Sequence, residues 1–180
     1  GRSFEVHVVG GHSPGHVVLI GDGMVVAGDQ LLADVLPAIH FGPSSPRTDG
    51  GRGAEDEPPW APSVAALLAS MDRFEGEVFR AATVLPGHGP AFRGTERVVE
   101  RVRRYHRVRC ELVERQLAKR GPSSVWDLAG TMYAGLVTPA GVDRRFASAA
   151  AEIAGRLEAL CARGRVRQTV ENGTFIYAVG

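Results

Sequence analysis

The chain has 180 residues, of which 44% are hydrophobic and 23% charged, and its net charge is +1. That is the composition of a globular protein with one full domain or two small ones and a core that needs no staples; disorder as the dominant state is excluded. No apolar run approaches the ~20 residues of a membrane span.

No basic-then-apolar leader precedes the first element. The two cysteines, Cys110 and Cys161, make neither a disulfide framework nor a metal knuckle, which fits a reducing cytoplasm. Of the 21 basic residues only Lys119 is lysine, a coding bias with little functional weight.

Ser3–Val9 alternates like a strand already in progress, so the chain is expected to begin inside a fold. Gly10–His16 (GGHSPGH) has glycines, a proline and no periodicity, and reads as a loop. Val17–Ile20, a Gly21-Asp22-Gly23 turn and Met24–Ala27 predict a hairpin, followed by Gly28-Asp29 at a strand end. Residues 42–62, with Pro43, Pro46, Pro58, Pro59 and Pro62, are expected to form a long mobile loop. From Ser63, the spacing of Val64, Leu67, Leu68, Met71 and Phe74 predicts a helix. Ala82–Leu85 reads as a short strand, and Pro86–Pro90 as a rigid loop after it.

A long helix is predicted from an N-cap at Thr95, with Val98, Val102, Tyr105, Val108, Leu112, Val113 and Leu117 along one side. Gly121-Pro122 stops it. Ser123 and Ser124 then cap a short helix through Trp126, Leu128 and Met132. Another helix carries Phe146, Ala150, Ile153, Leu157 and Leu160 and closes at Gly164. Val166–Val170, an Asn172-Gly173 turn and Phe175–Val179 complete a hairpin. Three helices followed by a two-stranded wing is the winged-helix order. The expected division is 1–94 and 95–180, with no internal repeat.

Three of these loops each present one strong metal-ligand type: His12, Asp29 and His88. Imidazole nitrogens and a carboxylate suit a borderline cation such as zinc, and a carboxylate can bridge two ions. Any one of them alone reads as a solvated or turn-forming residue. Three in order, each after a strand, read as ligands.

Gly-His12-Ser-Pro-Gly-His16, Ala-Gly-Asp29-Gln and Leu-Pro-Gly-His88-Gly-Pro resemble the third, fourth and fifth motifs of the metallo-β-lactamase-fold hydrolases. The tail resembles the C-terminal winged-helix-like domain of the branch related to glyoxalase II and the β-lactamase-like ribonucleases. The resemblance implies an α/β fold, the C-terminal half of an αββα sandwich followed by a small winged-helix-like domain. It also implies two zinc ions in the complete enzyme. The residue matching His12 binds one ion, the match to Asp29 bridges both, and the match to His88 binds the other.

The family's His-x-His-x-Asp-His motif is absent. The six histidines are His7, His12, His16, His40, His88 and His106, and no two stand two apart. In the family that motif lies upstream, so this chain is expected to be a fragment without activity of its own: metal ligands at His12, Asp29 and His88, and no catalytic residue complete without the other half. The resemblance places His16 near the metals without ligating them, and His40 on a substrate-facing loop, where a plain loop histidine is the simpler reading. His7 is expected on the outward face of its strand. His106 lies beside the apolar stripe of the long helix, and Cys110 and Cys161 are expected to be small buried hydrophobes.

The implied activity is hydrolysis of a thioester or ester by metal-bound hydroxide, with phosphodiester cleavage of RNA as the alternative. A different class stays open. Between Arg93 and Arg120 ten basic residues face four glutamates, a net of +6, and a basic helix before a wing is able to contact nucleic acid. A third reading is assembly, since half a sandwich exposes an apolar face and an open strand edge, to be covered by the missing N-terminal half or a second copy.

Overall fold

The structure is a computed structural model that describes residues 1–13, 15–37, 39, 63–138, 141–143 and 145–180. His40 and the expected loop over 42–62 lie outside the described residues. The chain forms two compact units, residues 1–105 and 106–180. Among the described residues no helix is long and apolar enough to cross a membrane.

In the first unit β1 (Glu5–Val9), β2 (His16–Gly21), β3 (Met24–Gly28), β4 (Thr83–Pro86) and β5 (Phe92–Arg93) make one sheet in that order. The β2–β3 turn has positive φ at Asp22 and Gly23, 49° and 70°, the paired values of a type I′ hairpin. β1–β2, β2–β3 and β4–β5 pair antiparallel, whereas β3–β4 is parallel. A parallel neighbour requires a crossover. It contains α1 (Ser63–Met71), a 3-10 turn (Asp72–Phe74) and α2 (Glu77–Ala81). β1, β3 and β4 therefore run in the same direction, and their C-terminal ends share one edge of the sheet.

Val9, Val18, Val25 and Val84 bury one face of this sheet against Leu67, Met71 and Phe74, and against Val98, Val99 and Val102 of α3 (Glu96–Arg120). β-branched residues suit such a half-covered pleated surface, and each fully buried side chain contributes about 1.5–3 kcal/mol. Register places Val6 beside Leu19, Val8 beside Val17 and Val26 beside Leu85 on the other face. There Val6 and Val8 are 67% and 63% exposed.

This corrects the expectation for His7. It pairs with Val18 on the helix-covered side, half-buried, with Nε2 3.2 Å from Glu5 Oε2. Alternation gave the period of β1 but not which face the helices cover.

Two more details differ from the sequence reading. The helix from Ser63 ends at Met71, and Phe74 reaches the core from the 3-10 turn instead. On α3 the buried line is Val98, Val99, Val102, His106, Cys110, Val113 and Leu117, while Val108 is exposed. The stripe passes through a histidine and a cysteine that hydrophobicity alone does not select. Thr95 does precede α3, and its hydroxyl donates to Phe74 O (2.5 Å).

In the second unit β6 (Ser123–Ser124), α4 (Val125–Met132), a short β7–β8 pair (Val137–Thr138, Gly141–Val142), α5 (Arg145–Cys161), β9 (Val166–Glu171) and β10 (Thr174–Val179) follow α3. The main sheet has the order β6-β10-β9. Ser124 caps α4 through a capping box: it accepts from Asp127 N–H, and the Asp127 carboxylate accepts from Ser124 N–H. The core joins Cys110, Val113 and Leu117 to Leu128, Phe146, Ile153, Leu157 and Tyr177. Cys110 is buried and Cys161 half-buried.

Candidate metal centre

His12, Asp29 and His88 follow the C-terminal ends of β1, β3 and β4, the three strands that run alike. The topology thus brings them to one edge although they lie far apart in the chain. Asp29 stands between the two histidines. His12 Nε2 is 3.6 Å and His88 Nε2 is 3.5 Å from the same oxygen, Asp29 Oδ2. These are not hydrogen-bond lengths. Two donor atoms on one tetrahedral zinc, each at about 2.1 Å, stand about 3.4 Å apart. Both pairs have that spacing.

The second carboxylate oxygen adds a further sign. Asp29 Oδ1 is buried and accepts no hydrogen bond among the described residues. Leaving a charged oxygen so is costly unless a cation answers it. Its space is reserved by Gly87, where a Cβ would fall on Oδ1. Gly87 N–H donates to Gly28 O (2.8 Å) and so fastens the His88 loop to the Asp29 loop.

The three side chains differ in exposure. Those of His12 and Asp29 are 14% and 25% exposed, whereas that of His88 is 77% exposed. The centre is closed on the His12 side and open at His88. Among the described residues no three His, Cys, Asp or Glu side chains form a group that could hold a metal ion by itself. The arrangement is two His–Asp pairs sharing one oxygen, and each lacks the further ligands of a zinc site.

His16 stands behind this group. Its Nε2 donates to Ala27 O (3.0 Å), and its ring meets that of His12 edge-on at 5.5 Å between centroids. It supports the β3 end and packs against the His12 ring. His106 and Cys110 belong to the second unit's core.

Sequence reading missed two residues that shape this edge. Gln30 is fully buried and bonds the His12 loop, and Arg101 of α3 donates to the carbonyls of Leu32, Ala33 and Val35 just beyond Asp29. The available signal was a polar amide inside the apolar run Ala27–Leu32. Arg101 carried none, being one arginine among many on α3.

No protein-family model and no curated protein matches the chain. Solved structures do. A β-lactamase domain protein from Burkholderia ambifaria matches with a TM-score of 0.74 and 24% identity, over 100% of this chain and 49% of its own. A metallo-β-lactamase family protein from Thermus thermophilus matches with a TM-score of 0.70 and 24% identity, over 100% of this chain and 50% of its own. The fold is therefore the metallo-β-lactamase fold, and the chain spans about half the length of the structures it matches.

Proposed function

We propose that this chain supplies one half of a zinc-dependent hydrolase site, completed by a second half-sandwich that brings further histidine and aspartate ligands. The observation that carries the reading is the single Asp29 oxygen set between two imidazoles at co-ligand spacing. His12 with Asp29 would hold one ion, and His88 with Asp29 the other. When bound, zinc would supply a water of lowered pKa and offset charge on an acyl or phosphoryl oxygen.

The chain's own residues do the positioning. Asp29 supplies the negative charge that lets two cations sit close together. His16 fixes the backbone before it and the ring beside it. The Pro86–Pro90 loop holds His88 at the open rim, where a substrate has access.

A thioester or ester is the proposed substrate class, on the likeness of Gly28-Asp29-Gln30-Leu31 and of the tail to the glyoxalase-II-like branch. The proposed partner is a second β-sheet laid on the Val6, Val8 and Val17 face. Its support is the exposure of that face together with matched structures of about twice this length.

The test mixes the chain with a separately made half carrying the His-x-His-x-Asp-His motif, and assays thioester, ester and RNA hydrolysis. Acyl hydrolysis is expected to appear on mixing. Asp29→Ala is expected to abolish it while leaving association nearly intact. An Asp29→Ala complex that hydrolyses esters as fast as the unaltered one overturns the site, and RNA cleavage without acyl hydrolysis overturns the substrate class.

A second reading rests on charge. Residues 106–180 hold eleven basic and seven acidic residues, a net of +4, against −3 for residues 1–105. That asymmetry fits a winged-helix-like module contacting phosphates. It predicts nucleic-acid binding that falls steeply with salt, and no gel shift even in low salt removes it.

A further inference from the structure

Gln30 follows Asp29 directly and is fully buried. A buried primary amide is costly unless its donors and acceptor are matched. Here they are. Oε1 accepts from His12 N–H (3.2 Å), and Nε2 donates to Gly10 O (3.0 Å) and Ser70 Oγ (2.6 Å). Ser70 in turn donates to Leu67 O (2.7 Å), so the chain of bonds ends on α1.

One side chain thus ties three segments together: the loop after β1, the loop after β3 and the first crossover helix. The backbone is shaped to admit it. Gly11 has φ 139°, and a Cβ there would stand 2.6 Å from Gln30 Nε2. An apolar side chain of equal size would fill the same space, but would leave His12 N–H and Gly10 C=O without these bonds. The bonds end on the backbone of His12 itself. His88, on the loop after β4, receives none of them.

We propose that Gln30 is a positioning residue of the metal centre, holding the His12 backbone in register with Asp29 so that the imidazole and the carboxylate reach the same ion. This rests on reading His12 as a ligand. Gln30 touches neither metal nor substrate in this role; it acts through His12.

The test is a zinc titration of the full chain, following the imidazole resonances of His12 and His88 separately by NMR. It is run on the unaltered protein, Gln30→Met and Ser70→Ala, with hydrogen exchange of the His12 amide measured in each. Gln30→Met is expected to raise the zinc midpoint of His12 tenfold or more, in line with the loss of an outer partner of a ligating histidine. Exchange at His12 is expected to quicken at least tenfold, while the His88 midpoint moves less than twofold.

Ser70→Ala removes one anchor of the amide and nothing at the ligands. It is expected to shift His12 in the same direction by a smaller factor, and it serves if Gln30→Met does not fold. Unchanged His12 midpoint and exchange in a folded variant overturn the proposal, as does an equal loss at His12 and His88. If neither histidine of the unaltered chain responds to zinc, as sites of two ligands each allow, the amide decides alone. Faster exchange confined to residues 10–13 then supports the clamp, and unchanged exchange overturns it.

Discussion

At Asp29 the two oxygens of one carboxylate are in different situations: Oδ2 faces two imidazoles, and Oδ1 is buried with no hydrogen-bond donor among the described residues. His106 is the opposite case, a histidine built to stay neutral. Burial, and then the charge of Arg156, hold its pKa at about 4, below the ordinary 6.5. The unfolded chain therefore binds more protons than the folded one between those values. Stability is fully present above pH 6.5 and is lost as the pH falls through about 4, by on the order of 3 kcal/mol. Denaturant midpoints of the second unit at pH 7 and 4.5 check this, and His106→Leu is expected to flatten the difference. The loop positions of His12, Asp29 and His88 were legible in the sequence because glycine sets each of them off in a short loop. Gln30 and His106 were not, because each is a polar residue in a buried position, and its surroundings come from segments distant in the chain.

Elements explain why these residues meet. A strand's direction follows from its pairing, and three like-directed strands deliver their following loops to one edge whatever the distance along the chain. The hairpins were legible because Asp-Gly and Asn-Gly suit a type I′ turn, and Asn172 and Gly173 indeed have φ of 50° and 75°. β5 and the β7–β8 pair were not, since two residues per strand carry no period. On α3 the arginines obscured the stripe, and one of them has a specific task. Arg101 gathers the carbonyls of Leu32, Ala33 and Val35, which no regular ladder satisfies. Arg101→Ala is expected to destabilise the first unit by about 2 kcal/mol, the loss of charge-assisted bonds to part-buried acceptors. Arg101→Lys is expected to recover only part of it, because an ammonium lacks the planar fork. Urea unfolding of the three proteins measures both effects.

The whole chain matches about half of each similar solved structure, and among the described residues helices cover one face of the five-stranded sheet. The valines of the other face were legible as a strand pattern, but which side would be covered depends on the crossover and not on β1 itself. Val8→Lys is expected to change stability by less than about 0.5 kcal/mol, as for an exposed position. The same substitution is expected to prevent association with a complementary half in sedimentation, and unimpaired association would contradict the proposed face. The claim that His12, Asp29 and His88 are half of a two-zinc centre is tested most directly by zinc content after dialysis, alone and mixed with a half carrying His-x-His-x-Asp-His. Well under one zinc per chain is predicted alone, and two per complex on mixing, lost in Asp29→Ala. Stoichiometric, chelator-resistant zinc in the chain alone, or zinc in the complex indifferent to Asp29→Ala, would contradict it.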